Sequence, residues 1–224
     1  TPLGKLTQIK NGIATLHDSL YILEGKMKGS FYIANYKNKG YLIEKDVTRK
    51  LVKASVLKIP KDIDDTKTRI IFPYEKIDSL YKPISETKLK KLYPKCYEYF
   101  LAIKSELSER DRGKRQYDEW FAYGRVQGYN ISGAKIISPL MSPEPRFVIC
   151  DEDKTLYNGG IGIFYKGNLG LLLKILKSDV FWYYIQKTSK EYKSNFRAVA
   201  KNFIENFSIP NFTDEEKKFI INKN

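Results

Sequence analysis

Histidine is nearly absent from this 224-residue chain and cysteine is scarce: His17 is the one imidazole, and Cys96 and Cys150 are the two thiols. Two cysteines with no Cys-x-x-Cys spacing do not make a disulfide framework, and with one histidine they leave no ligand set for a Cys/His zinc site. A Ser-His-Asp triad would have to use His17, which lies beside Asp18 in an expected loop, and no serine stands in a Gly-x-Ser-x-Gly turn. Neither Gly-x-Gly-x-x-Gly nor the P-loop spacing occurs. Gly159, Gly160 and Gly162 precede a stretch of strand character and read as a turn. There is no Pro-Pro pair, so the Asn/Asp-Pro-Pro-aromatic tetrapeptide that holds a flipped adenine for methylation is missing from these residues. Apolar runs such as Val180 to Ile185 fall far short of the roughly 20 residues needed to cross a bilayer. Two acidic clusters, Asp62/Asp64/Asp65 and Asp151 to Asp153, lack the partner motifs of a metal site, and the second reads as a turn between strands.

Positive charge is plentiful. Forty Lys and Arg oppose 26 Asp and Glu, a net +14, and the surplus is uneven. The first sixty residues hold eleven basic and four acidic side chains, whereas residues 61–120 hold fourteen and twelve. A surplus of this size suits a polyanion, because each neutralised phosphate releases condensed counterions. An apolar content of 42% is that of a globular chain, and the length suits one hydrophobic core, so a single domain over 1–224 is expected. The chain starts at Thr1 rather than Met, as expected of a segment from inside a longer protein. Two cysteines without a disulfide framework fit a reducing cytoplasm.

Strand signals dominate the first third: Leu6 to Ile9, an Asn11-Gly12 turn, Ser19 to Leu23, Ser30 to Tyr36 and Thr68 to Tyr74. A helix capped by Ser85 runs to Leu92, and a second enters at Pro94 and runs to about Arg110, followed by a solvated charged loop over residues 109–115. Strands return at Ala134 to Ser138, Arg146 to Cys150 and Ile161 to Tyr165. Helices follow at Leu169 to Leu176 and Asp179 to Gln186, the latter capped by Asp179. Thr213 and Glu216 have capping-box spacing. Strands and helices alternate in blocks, which predicts an α+β fold with a mixed, largely antiparallel sheet.

The opening Leu6-Thr-Gln-Ile-Lys-Asn-Gly-Ile-Ala-Thr-Leu-His-Asp-Ser-Leu-Tyr21 resembles the entry of target recognition domains in restriction–modification proteins. Arg69 to Tyr74, Leu107 to Arg110, Trp120 to Asn130, Lys135 to Pro139 and Lys201 to Pro210 continue the pattern in order. Over residues 3–212 the chain resembles the TaqI-like C-terminal specificity domain of adenine-N6 methyltransferases and type IIG enzymes, and also the halves of type I specificity subunits. The resemblance implies a non-catalytic module that grips duplex DNA. A covalently linked N-terminal methyltransferase domain would use S-adenosylmethionine, and a fused Mg2+-dependent endonuclease is a further possibility of that family.

Lys and Arg contacts to phosphate fix register, while sequence is read by paired or apolar contacts to base edges. The residue types for this work gather in three expected loops. The first holds Lys10, Asn11, Thr15, His17 and Asp18, and equally suits a plain surface turn. The second holds Tyr123, Arg125, Gln127, Tyr129 and Asn130 and carries the strongest readout chemistry. Its alternative is a pair of core tyrosines with a structural Arg125. The third, within Lys187 to Arg197, offers Lys187, Lys190, Lys193, Asn195 and Arg197 to phosphates, or is a solvated linker. Arg146 either reaches DNA or begins a strand. An autonomous metal-dependent nuclease and a protein- or RNA-binding module remain as competing functions.

Overall fold

The computed structural model describes residues 1–222 apart from Ser79, Val126, Tyr129 and Ile131. Helices and mostly antiparallel sheets make an α+β fold, as the block order of sequence signals predicts. The chain divides into two compact units. Unit 1 comprises residues 1–12, 52–65 and 132–224, and unit 2 comprises residues 13–51 and 66–131.

Unit 1 is built on a four-stranded antiparallel sheet in the order Thr7–Asn11, Gly160–Tyr165, Lys135–Pro139, Val148–Cys150. Ile9 pairs with Ile163 and Ile163 with Ile136, a row of β-branched side chains across three strands. These residues join Phe147, Leu172, Leu176, Phe181 and Ile185 in one core, so the apolar stripes of the Leu169–Leu176 and Asp179–Thr188 helices are buried with the sheet face. Both helices are capped by side chains just ahead of them: Asn168 accepts from the Leu171 amide at 2.9 Å and Ser178 from the Phe181 amide at 3.2 Å. Ser178 therefore does the capping expected of Asp179, which sits in the first turn, where its charge favours the helix dipole. The capping box forms in full, with Thr213 N–H on Glu216 and Glu216 N–H on Thr213. Asn11-Gly12 makes no hairpin: Gly12 donates to the Gly160 carbonyl and prolongs the strand pairing. At Gly159, φ of +65° makes the turn that feeds the Gly160–Tyr165 strand.

Unit 2 opens with a one-turn helix, Asp18–Tyr21, where a strand from Ser19 is expected; the strand proper is Ile22–Leu23. Ile22–Leu23 pairs with Arg69–Ile71, which pairs in turn with the Thr48–Lys53 strand through Thr48 to Lys50. Met27–Lys28, Phe31–Tyr36 and Lys39–Glu44 form a second antiparallel sheet. Phe31–Tyr36 and Lys39–Glu44 are joined by the two-residue turn Lys37-Asn38, with φ of 45° and 63° as a type I′ hairpin requires. The Pro94–Ala102 helix is anchored at its start by Glu44, whose carboxylate accepts from the amides of Lys95 at 2.7 Å and Cys96 at 2.8 Å. The long helix expected from Pro94 to Arg110 breaks at Ile103 into Pro94–Ala102 and Lys104–Ser108, and the chain then turns over Arg110–Gly113 through left-handed residues.

Candidate nucleic-acid interface

In unit 2, three chain segments meet around Arg110, a residue only 4% exposed. Its guanidinium donates to the carbonyls of Leu107 (2.9 Å), Trp120 (2.8 Å), Ala122 (2.7 Å) and Thr15 (3.4 Å), and to the Tyr21 hydroxyl (3.1 Å). Three of these acceptors share Nη1, and the guanidinium is held by four carbonyls and a phenol without a carboxylate partner. Tyr21 in turn donates from its hydroxyl to the Phe121 carbonyl at 2.9 Å. Burial pushes the Tyr21 phenol well up, while the Arg110 charge pulls the other way. The charged stretch at 109–115 is therefore not simply a solvated loop: its first arginine is the internal clamp.

The clamp fixes residues 14–18 beside residues 120–125. Gly124 N–H donates to Thr15 carbonyl at 2.9 Å and Arg125 N–H to Ala14 carbonyl at 3.1 Å. Thr15 is fully buried, its hydroxyl donating to Asp18 at 2.6 Å and accepting from the His17 amide at 3.0 Å. This hydroxyl shapes the turn and has no surface to offer a base. Tyr123 is likewise in the core, 3% exposed, donating from its hydroxyl to the Ile71 carbonyl and from its amide to the Tyr74 hydroxyl, each at 2.6 Å. Burial raises its phenol well above the ordinary value. Asn130 accepts from the Tyr81 amide at 2.6 Å and so holds the Leu80–Pro83 strand. Tyr129 lies outside the described residues.

The outward side chains of this cluster are Leu16, Asp18, Asp111, Arg112, Arg125 and Gln127, with His17 half-buried and its Nδ1 3.2 Å from the Ser19 hydroxyl. Arg125 pairs with Asp111 at 3.5 Å, both partly open to solvent. Leu16, Asp111 and Arg112 adopt left-handed backbone, with φ of 63°, 52° and 59°. None of these three stood out in the sequence. A left-handed leucine leaves no compositional trace, and Arg110 to Arg115 reads as an ordinary charged run.

Lys10 and Asn11 belong to unit 1, so the first expected loop is split between the two units. Lys10 lies 5.5 Å over the Phe164 ring and Asn11 is exposed at the end of its strand. Arg146 precedes the Val148–Cys150 strand rather than beginning it, and it is largely engaged: it donates to the Ser55 carbonyl at 3.1 Å and pairs with Glu144 at 3.2 Å.

The third expected loop is a shaped hairpin over residues 189–198. Tyr192 N–H donates to Phe196 carbonyl at 2.8 Å and Ala198 N–H to Lys190 carbonyl at 2.9 Å, and Ser194 and Asn195 turn it with φ of 60° and 61°. Arg197 is its anchor, donating to the Gln186 carbonyl at 3.0 Å and pairing with Glu191 at 2.7 Å. Lys187 lies not in this loop but in the last turn of the Asp179–Thr188 helix, exposed 5.3 Å over Tyr183; Lys190, Lys193 and Asn195 are exposed on the hairpin, with Lys190 5.1 Å over Tyr192. Among the described residues, no group of three or more His, Cys, Asp or Glu converges as metal ligands, and no helix is long and apolar enough to cross a membrane.

No family model matches the sequence. The chain is 27% identical over 198 residues to the type II restriction enzyme and methyltransferase RM.Eco57I of Escherichia coli, a match that covers 82% of this chain and 19% of that protein. Its fold is similar, with a TM-score of 0.59 at 10% identity, to that of a Type IIL restriction-modification enzyme, MmeI, solved in complex with DNA, covering 97% of this chain and 27% of that one. In sequence the chain is thus similar to a minor portion of one restriction–modification enzyme, and in fold to a portion of another.

Proposed function

We propose that residues 1–224 form a target recognition module, the TaqI-like specificity domain of a restriction–modification protein, which reads a duplex DNA site for a linked S-adenosylmethionine-dependent adenine-N6 methyltransferase. The observation that carries this reading is the Arg110 cluster. A buried guanidinium holds the Trp120 and Ala122 carbonyls just ahead of the exposed Arg125 and Gln127, whose side chains can make paired hydrogen bonds to guanine and adenine edges. The net charge of +14 and the lysine-bearing hairpin at 189–198 supply cations suited to phosphate. Similarity to part of a restriction enzyme and methyltransferase supports the same reading.

In this division of labour Arg125 and Gln127 specify bases. Lys187, at the end of the Asp179–Thr188 helix, and Lys190, Lys193 and Asn195, on the hairpin, position the backbone, and Arg197 holds the hairpin in shape. Thr15, Tyr123 and Asn130 build the scaffold, and Lys10, Asn11, His17, Asp18 and Arg146 are left to secondary contacts. Equilibrium binding of the chain to duplex DNA, RNA and heparin across a salt series tests this function. Duplex DNA enriched from a randomised pool is expected to outcompete bulk DNA and heparin, with a discrimination that persists as salt rises. Equal binding to all three polyanions would reduce the chain to a nonspecific cationic surface.

A further inference from the structure

The Arg110 cluster exposes one apolar side chain in the midst of its polar ones. Leu16 is 38% exposed and has φ of 63°, a backbone conformation that leucine rarely adopts. The conformation is imposed from three sides. The carbonyls of Ala14 and Thr15 are bonded to the amides of Arg125 and Gly124, the Thr15 carbonyl also receives Arg110, and the next amide, of His17, is tied to the Thr15 hydroxyl. Gly124 supplies the seat. A Cβ there would lie 2.2 Å from Leu16 Cγ and 2.6 Å from its Cβ, so the leucine rests directly on a position that admits no side chain. A plain turn at this site would place glycine or asparagine at residue 16, since both adopt positive φ with little cost. This chain instead maintains strain in order to present a branched alkyl group next to the segment that carries Arg125.

Resting on the reading of this cluster as a duplex-reading surface, we infer that Leu16 is a specificity-determining residue that packs against the 5-methyl group of a thymine. Polar side chains cannot report that methyl group, whereas an apolar one distinguishes thymine from cytosine at the same depth in the major groove. Rigid mounting matters because an alkyl contact has no hydrogen bond to direct it. Its position must come from the backbone, and here a buried guanidinium and two interstrand-type amide bonds provide it.

The test uses the 224-residue chain and a duplex enriched from a randomised pool, in which each thymine of the enriched site is replaced in turn by deoxyuridine. One replacement is expected to lower wild-type affinity roughly fivefold, the worth of one buried methyl contact. Leu16→Gly and Leu16→Asn, which accept the backbone conformation, are expected to bind the thymine duplex more weakly by a similar factor. They should show no further loss on the deoxyuridine duplex. If every thymine tolerates the replacement in the wild-type chain, or if both variants still lose the same factor, Leu16 does not contact a methyl group. A wild-type chain that enriches no sequence at all would overturn the duplex-reading function itself, and the Leu16 contact with it.

Discussion

The Arg110 cluster of unit 2 and the hairpin at 189–198 of unit 1 both present cations, yet they are held in opposite ways. In the first, Arg110 is buried and spends its donors on four carbonyls and a phenol, holding the backbone just ahead of the exposed Arg125 and Gln127. In the second, Lys190 lies exposed over the Tyr192 ring, with Lys187 exposed on the helix just before it, and Arg197 secures the hairpin through one carbonyl and one surface ion pair. A planar guanidinium locked from below suits a task in which an error of an ångström changes the answer, as in matching a base edge. Compact ammonium groups on flexible stems suit phosphates, which repeat along the duplex and reward charge more than exact placement. The two surfaces differ in how much order each contact demands.

The largest expected effect comes from breaking the clamp. Arg110→Ala strands the Trp120, Ala122 and Thr15 carbonyls in the interior and should cost roughly 3 kcal/mol of stability, read by urea denaturation. Arg110→Lys is expected to recover little, because one ammonium cannot span the same acceptors. Gly124→Ala drives a methyl group into Leu16 and should cost about 1–3 kcal/mol. The double variant Leu16→Gly/Gly124→Ala is expected to recover most of that loss, since the clashing atoms are gone. Arg125→Ala sharpens the contrast further. Its ion pair with Asp111 is solvent-exposed and contributes little to folding, so the melting midpoint should barely move. Discrimination at one base pair, measured with single-substitution duplexes, should fall by about 1–3 kcal/mol. The smallest effects belong to Lys190→Ala and Lys193→Ala, each of which should weaken binding to all duplexes alike and lower the salt slope by about one.

Much of this organisation was legible in the residues. Capping residues announced two helix starts, at Ser85 and Thr213, because a short hydroxyl ahead of an apolar stripe has few other uses. Runs of Ile and Phe marked the central strands of unit 1. The Lys39–Glu44 strand escaped notice because its turn, Lys37-Asn38, lacks glycine and its residues are half-exposed. The cations within residues 187–197 were evident from composition, though not their hairpin, whereas the expected second loop was only half legible. Arg125 and Gln127 emerge as exposed, but Thr15, Tyr123 and Asn130 serve the scaffold, and nothing local distinguishes a buried arginine from its exposed neighbour Arg112. Arg110 owes its role to carbonyls as far away as residues 15 and 122, which only the folded chain brings together.

The most direct trial of the contrast is the salt dependence of affinity, measured on an enriched duplex and on bulk DNA for the wild type, Arg125→Ala and Lys190→Ala/Lys193→Ala. Arg125→Ala should lose preference for the enriched duplex while keeping its slope on bulk DNA, and the double lysine variant should keep its preference while its slope falls on both. If the lysine variant loses sequence preference, or Arg125→Ala weakens both DNAs equally, the assignment of base reading to one surface and phosphate holding to the other is wrong.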